Sequence, residues 1–202
     1  MRSIVDVVRT EDWGARPPTQ SFEEQTPRFI IIHHTVTPNP PDDASGGTLD
    51  GAKELARRLQ ADHMERRGWA DSGHNFLNTT GGFIVEGRHG TLAAIQRGRC
   101  VQSAHTVGAN DSPGIENEGD FSIYEMDAEQ WNSLVTLCAF ICVSCHLDPE
   151  AIRGHRDFDA TECPGDRLYA QLPRLRQDVR ERQAAGVTFQ VGRVEGRRVE
   201  DA

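Results

Sequence analysis

A short apolar run that ends in two histidines is the feature that most constrains how this chain can fold. Residues 28–32 read RFIII, and His33-His34-Thr35 follow them directly. A continuous apolar run of this length is typical of a strand that is covered on both faces in the middle of a sheet. The sequence therefore predicts a layered fold in which two imidazoles lie where a central strand ends.

Other segments alternate between helical and extended patterns. Residues 52–67 repeat apolar side chains at helical spacing and end at Gly68, and Asp127 is a candidate N-cap for a helix that continues to about His146. Further strands are predicted at 74–77, 83–85, 115–118 and 151–154, and a last helix at 168–182. This order predicts an α/β fold with a central mixed β-sheet flanked by helices.

The length fits one domain. We assign it to residues 1–183, including an irregular N-terminal arm over residues 11–27. Residues 184–202 are expected to form a tail that is either a hairpin or disordered.

The charge of the chain limits its partners. The formal net charge is −9, which argues against a nucleic-acid partner, because phosphate binding needs a basic face. It also argues against binding to anionic membranes, and no stretch reaches the roughly 18 apolar residues needed to span a bilayer.

We expect the protein to be a monomer.

No apolar segment near the N-terminus is long enough for a secretory signal. We therefore expect one of two routes to a cell wall. The protein is either made in the cytoplasm and released, as an endolysin is, or exported by a leader that is absent from this sequence.

Two segments concentrate the side chains that bind metals. His33-His34 form one, and residues 154–164 contribute His155 and Cys163. Zinc accepts imidazole nitrogen and thiolate sulfur, and a catalytic zinc keeps three protein ligands and one open position. One histidine of the pair would complete such a set with His155 and Cys163. Taken alone, each segment is better explained by a loop histidine or a buried structural cysteine than by a metal site.

Seven segments, in order along the chain, resemble the type 2 N-acetylmuramoyl-L-alanine amidases and peptidoglycan-recognition proteins. They are EDWGARPP (11–18), IIHHT (31–35), GHNFL (73–77), VEGR (85–88), AHT (104–106), GIE (114–116) and GHRD with TECP (154–157 and 161–164). Each motif is weak, but seven in order are specific, and they cover about residues 11–182. The resemblance implies a zinc amidase fold and hydrolysis of the amide between N-acetylmuramic acid and L-alanine in peptidoglycan.

The resemblance also assigns the metal ligands. It implies one zinc per chain, held by His33, His155 and Cys163 at the base of a groove that binds peptidoglycan or a muropeptide. His34 is then a residue next to the ligands, a core residue or a substrate contact, and it remains the alternative ligand from the pair. His105 matches a groove residue near the substrate, although an ordinary histidine at a strand end explains it equally well.

Three further positions match residues that assist catalysis in the family. Glu116 matches a general base of one branch, and Glu118 is its competitor because it shares the strand face. His74 stands where another branch has a tyrosine, which is a departure. Thr161 occupies a position from which amidases polarise the scissile carbonyl with Lys or Thr.

Two other interpretations compete with a zinc amidase. The first is a recognition module that binds muropeptide without cutting it, but such proteins typically lack the cysteine ligand, and Cys163 is present. The second is a structural zinc, which would need a fourth protein ligand, and none is evident. The sequence does not decide between the polymeric wall and soluble muropeptides as substrate.

Cys142-Val143-Ser144-Cys145-His146 has the form of a c-type haem attachment site. It lies in an apolar helical segment, and Cys138 is on the same helix face. We therefore interpret these cysteines as core packing. A disulfide from one of them to Cys100 would require an exported protein.

Overall fold

The computed structural model describes residues 2–37, 47–185 and 188–194. Its strands are β1 (Arg2–Val8), β2 (Glu24–Gln25), β3 (Ile30–His34), β4 (Phe76–Asn78), β5 (Ile84–Glu86), β6 (Cys100–Val101), β7 (Gly114–Asn117), β8 (Ile152–Gly154) and β9 (Thr188–Arg193). Its helices are α1 (Thr10–Trp13), α2 (Leu49–Glu65), α3 (Thr91–Gln96), α4 (Ala128–Cys145), α5 (Asp166–Ala170) and α6 (Leu172–Ala184). Short 3-10 turns cover Pro149–Ala151 and His155–Asp157.

A seven-stranded sheet in the order β8-β3-β7-β4-β5-β1-β9 organises the fold, while β2 and β6 form a separate pair. Neighbouring strands of the large sheet are parallel, except that β4 and β5 are antiparallel. The predicted central strand is β3, and its three isoleucines are fully buried. The expected fold class, a central mixed sheet flanked by helices, is confirmed.

Helices cover the sheet on both faces. Ile30 and Ile32 belong to the larger core cluster, which contains the buried side chains of α4 and α6. Leu77 and Val85 face the smaller cluster, which contains Leu55 of α2. Because side chains alternate along a strand, His34 continues the α4 side of β3, and His33 continues the α2 side.

The two long helices begin at side chains that cap them. Thr48 accepts a hydrogen bond from the Gly51 amide at the start of α2, and Asp127 accepts one from the Gln130 amide at the start of α4. The predicted last helix is divided into α5 and α6, because Pro173 cannot donate a backbone hydrogen bond and starts a new helix. Within the described residues, no helix is long and apolar enough to cross a membrane.

Both ends of the described chain form strands that were not predicted. β1 pairs in parallel with β5 and with β9, so residues 188–193 are neither a hairpin nor disordered. The rest of the proposed tail, residues 186–187 and 195–202, lies outside the described residues. The arm expected to be irregular contains β2 and most of α1, and Trp13 anchors it by donating to the Glu86 carbonyl at 2.8 Å.

The cysteines of the haem-like motif lie in the core. Cys138 and Cys142 of α4 are buried, as is Cys145 at its end, and all three are free thiols, as is Cys100. Burial raises the pKa of Cys142 to about 12 and that of Cys145 to about 11. Thiols that resist ionisation in an apolar layer act as small apolar side chains.

Replacing Cys142 by alanine should therefore lower stability without affecting the site. We expect a loss of about 1–2 kcal/mol in the free energy of unfolding, since a small buried group is removed. Activity per folded molecule should remain at the wild-type level. Denaturant unfolding and a specific-activity assay measure the two effects. A Soret band from protein produced with cytochrome maturation factors would contradict this interpretation.

Candidate metal centre and groove

Three side chains converge at the carboxyl ends of β3 and β8. His33 ends β3, His155 begins the turn after β8, and Cys163 lies in the loop before α5. Their candidate ligand atoms all lie within 4.8 Å of one another. The Cys163 Sγ is 3.7 Å from the His33 Nδ1. Two imidazoles and one thiol make a donor set that suits zinc.

Hydrogen bonds outside this group orient both imidazoles. The His105 Nε2 lies 2.9 Å from the Ser112 carbonyl, which can only accept, so His105 carries its proton there. Its Nδ1 then accepts from the His33 Nε2 at 3.0 Å. The His155 Nε2 lies 2.9 Å from a carboxylate oxygen of Asp159 and donates to it. In both His33 and His155, Nδ1 is therefore the ring nitrogen that these hydrogen bonds leave available to bind a metal.

The structure places His105 directly against His33, which the sequence did not predict. Its ring packs edge-on against His33, with centroids 4.8 Å apart. A Cβ on residue 114 would lie 2.4 Å from the His105 Cδ2, so the glycine of the GIE motif leaves room for this ring. Asp159, which lies between His155 and Cys163 in the same motif, was not singled out from the sequence.

Removing the His105 imidazole should weaken metal binding at His33. For His105→Ala we expect zinc affinity to fall by roughly 10–100-fold, the usual cost of losing a partner that orients a metal ligand. Competition with a chromogenic chelator measures this. Ser112→Ala is the matched control, because it keeps the backbone carbonyl that His105 uses. Wild-type affinity in His105→Ala would contradict the orienting role.

The side chains of His33 and His34 lie on opposite faces of the sheet. His33 joins His155 and Cys163, whereas the His34 ring points to the other face, where its Nδ1 accepts from the Phe121 amide at 3.3 Å. The backbone amide of His34 donates to the Cys163 Sγ at 3.4 Å. His34 therefore supports the thiol through its main chain.

Glu116 lies directly beside the group. It pairs with His33 across β3 and β7, so both side chains share a face. Burial raises the pKa of Glu116 to about 8. Its competitor Glu118 is buried and accepts bonds from the Thr80 amide and hydroxyl at 3.0 and 3.1 Å. Of the two carboxylates, Glu116 is the one that pairs with His33.

The raised pKa of Glu116 gives a pH dependence with a definite sign. Its pKa is about 8 when folded and near 4.5 when unfolded, so the metal-free folded state keeps a proton that the unfolded state loses. This group therefore lowers the free energy of unfolding as pH rises from about 4.5 to 8. Metal-free Glu116→Gln should gain stability relative to wild type over that range, as measured by denaturant unfolding at pH 5 and pH 8. If Glu116→Gln and wild type differ in free energy of unfolding by the same amount at pH 5 and at pH 8, the raised pKa is contradicted.

His74 is buried next to Glu116. Its Nδ1 is 3.9 Å from a Glu116 oxygen and has no hydrogen-bond partner among the described residues. Burial holds the pKa of His74 well below its usual value, so the ring is neutral. The His63 ring packs against it edge-on at 5.6 Å. A Cβ on Gly87 would lie 2.7 Å from the His74 Cδ2, which explains a glycine at that position.

Two cavities lie near these residues. One, of about 450 Å³, has Cys163 and Thr161 on its wall. The Thr161 hydroxyl oxygen accepts from the Cys163 amide at 3.2 Å, which leaves its proton to donate elsewhere. The other, of about 660 Å³, includes Ala104, Trp69 and the guanidinium-bearing Arg88.

Comparisons with known sequences find an amidase family and peptidoglycan-recognition proteins. The profile of the N-acetylmuramoyl-L-alanine amidase family matches residues 23–166. The chain is 34% identical to peptidoglycan-recognition protein LB of Drosophila melanogaster over 165 residues, covering 80% of this chain and 65% of that protein. It is 33% identical to a peptidoglycan recognition protein of Bombyx mori, covering 84% of this chain and 80% of the relative. It is 29% identical to human N-acetylmuramoyl-L-alanine amidase, of which it spans 30%.

Solved structures show the same fold. A Drosophila PGRP-LB mutant in complex with tracheal cytotoxin superposes with a TM-score of 0.69 at 32% identity, covering 82% of this chain and 92% of that one. Peptidoglycan recognition protein LE, also in complex with tracheal cytotoxin, gives a TM-score of 0.70 at 27% identity, covering 83% and 92%.

Proposed function

Because the chain belongs to the N-acetylmuramoyl-L-alanine amidase family, we propose that it is a zinc-dependent amidase that cuts the bond between N-acetylmuramic acid and L-alanine in peptidoglycan. The observation that carries the proposal is the convergence of His33, His155 and Cys163 with Glu116 on the adjacent strand. Relatives named for peptidoglycan recognition, and solved neighbours in complex with tracheal cytotoxin, support a muropeptide ligand.

His33, His155 and Cys163 would hold the zinc, in line with the orientation of both Nδ1 atoms. When bound there, zinc would lower the pKa of water and polarise a carbonyl, with one coordination position left open. Removal of the thiol proton is part of metal binding, since burial raises the pKa of Cys163 in the metal-free protein.

Glu116 is the proton carrier in this proposal. Its carboxylate takes a proton from the water that attacks the lactyl carbonyl, and it passes the proton to the amine of L-alanine as the C–N bond breaks. The raised pKa of Glu116 suits a group that must both accept and release a proton near neutral pH. A cation nearby would lower that pKa and favour the acceptor form.

Thr161 and His74 are proposed to stabilise charge on the carbonyl oxygen. The Thr161 hydroxyl is next to Cys163 and keeps a proton to donate. The neutral His74 ring can donate without bringing a positive charge to the site. Donors placed where charge develops contribute most when water is excluded.

The second candidate is a recognition module that binds muropeptides without cutting them. The names of several relatives favour it. The enzyme is better supported here, because the cysteine of the donor set and the carboxylate beside it are both present.

Parallel digestion of purified sacculi and of soluble muropeptides, with mass spectrometry of the products, tests the proposal. An amidase releases stem peptides with a free L-alanine amine and leaves intact glycan. The two substrates also distinguish an enzyme that degrades wall from one that processes fragments. Binding of muropeptide without any release of peptide would establish the recognition module instead.

A further inference from the structure

The outer nitrogens of the two imidazole ligands are joined to adjacent positions of one turn. The His33 Nε2 donates to the His105 Nδ1 at 3.0 Å. The His155 Nε2 donates to the Asp159 Oδ2 at 2.9 Å, and the same oxygen accepts from the Thr106 hydroxyl. Because His105 and Thr106 are neighbours in the chain, these bonds connect the two ligands by a route that does not pass through the metal group.

Asp159 also binds the backbone of this turn. Its Oδ2 accepts from the Val107 amide at 3.1 Å, so one carboxylate oxygen receives three donors. Val107 is 78% exposed, so packing contributes little to its position. Hydrogen bonds to a carboxylate are about twice as strong as bonds between neutral groups. The turn is therefore held against His155 chiefly by Asp159.

The turn is closed on itself over residues 103–110. The Ser103 amide donates to the Asn110 carbonyl at 2.9 Å, and the Thr106 amide donates to the Asn110 Oδ1 at 3.0 Å. The Thr106 side chain is buried beneath this closure. A displacement at Thr106 therefore carries His105 with it, and His105 is the residue that orients the His33 ring.

We propose that Thr106 and Asp159 are positioning residues that couple zinc binding to the order of the turn at residues 105–107. The inference rests on the zinc ligand set of the proposed function and adds two residues that are not ligands themselves. While the turn is bonded to Asp159, the rings of His33 and His155 are held at one separation. Zinc binding favours this closed turn, and by reciprocity the closed turn binds zinc more tightly by the same factor.

Hydrogen exchange in wild type tests the coupling without any substitution. The Val107 amide exchanges when its bond to Asp159 opens, so its rate reports how often the turn is open. We expect saturating zinc to slow this exchange by about 10-fold relative to chelator-treated protein, the lower end of the range for a partner that orients a metal ligand.

The Glu150 amide is the matched control in the same samples. It belongs to an exposed residue and donates to the Asp148 carboxylate at 2.8 Å. It precedes β8, whereas His155 follows that strand. Its exchange rate should be the same with and without zinc.

The affinity for zinc measures the same coupling from the other side. Thr106→Val removes the hydroxyl and keeps the shape of the side chain, and it should weaken zinc binding by about 10-fold. Thr106→Ser keeps the hydroxyl and should restore wild-type affinity. Asp159→Ala loses all three bonds and should weaken binding by about 100-fold. Asp159→Asn offers one oxygen in place of Oδ2 and should lie between Asp159→Ala and wild type.

Competition with a chromogenic chelator gives these affinities. Thr136→Val is the control for Thr106→Val, because it removes a hydroxyl that bonds to the Asn132 carbonyl within α4, away from the metal group. It should bind zinc as wild type does. A purely structural role for Thr106 and Asp159 would lower the stability of their variants without changing zinc affinity.

Three outcomes would overturn the coupling. Zinc may bind wild type and leave the exchange of the Val107 amide unchanged, or folded Thr106→Val may bind zinc as tightly as wild type. Wild type that binds no zinc would remove the ligand set together with the coupling. The amidase proposal fails separately, because a protein that shows the coupling but releases no stem peptide from muropeptides keeps this inference and loses that activity.

Discussion

Replacing Cys163 by alanine is expected to remove most of the zinc from the purified protein and to abolish its amidase activity. The remaining imidazoles, His33 and His155, would leave an incomplete donor set, and a catalytic zinc site needs three protein ligands. The loss of affinity should exceed the roughly 10–100-fold cost of losing a partner that only orients a ligand. The zinc content of dialysed protein, measured by elemental analysis, should fall from about one zinc per chain in wild type to a small fraction of that value.

Cys145→Ala is the matched control for this experiment, because it removes a buried thiol at the end of α4 and leaves the metal group intact. It should keep both zinc and specific activity. Circular dichroism of Cys163→Ala distinguishes a lost ligand from a lost fold. Full zinc retention in a folded Cys163→Ala protein would show that the ligand assignment is incorrect.

The centre of the fold could be predicted because its signals are local. The isoleucines of β3 are apolar without interruption, and a strand of that kind must be covered on both faces. The N-cap at Asp127 was predictable for the same reason, since capping depends on a side chain and the amides that follow it. The family resemblance then related His33 to His155 and Cys163, which lie more than a hundred residues further along the chain.

The two strands at one end of the sheet, β1 and β9, could not be predicted by the same reasoning. β1 alternates exposed and buried residues, with Ile4 and Asp6 outside and Val5 and Val7 inside. Asp6 interrupts any continuous apolar run, so a search for such runs passes over the strand. Its partner β9 ends in a charged residue, and it pairs with a strand that lies far away in the sequence. Such pairing is set by tertiary structure rather than by local sequence.

Within the site, the sequence predicted residue types but not their hydrogen bonds. His105 was left between a groove residue and an ordinary histidine, and only the distance to His33 shows that it orients the ring. The competition between Glu116 and Glu118 also depended on structure. β7 ends at Asn117, so Glu118 leaves the strand and bonds to Thr80 instead of facing the metal group.

Glu116→Gln should separate proton transfer from metal binding. The substitution keeps the shape of the side chain and removes the proton acceptor, so zinc content and folding should remain near wild type. The rate should fall by roughly 10²–10⁴, the usual contribution of a positioned acid–base group. Steady-state kinetics on a soluble muropeptide, with zinc analysis of the same sample, measures both quantities.

Glu118→Gln is the natural control, since it changes the neighbouring carboxylate on a residue that bonds to Thr80. It should lower stability more than rate, because a buried acceptor loses its charge-assisted bonds. His74→Ala tests the remaining alternative, as the His74 ring lies 3.9 Å from Glu116 at the position of the family's tyrosine. If Glu116→Gln stays near wild-type activity while folded His74→Ala is inactive, the proton passes through His74 and the role assigned to Glu116 is wrong.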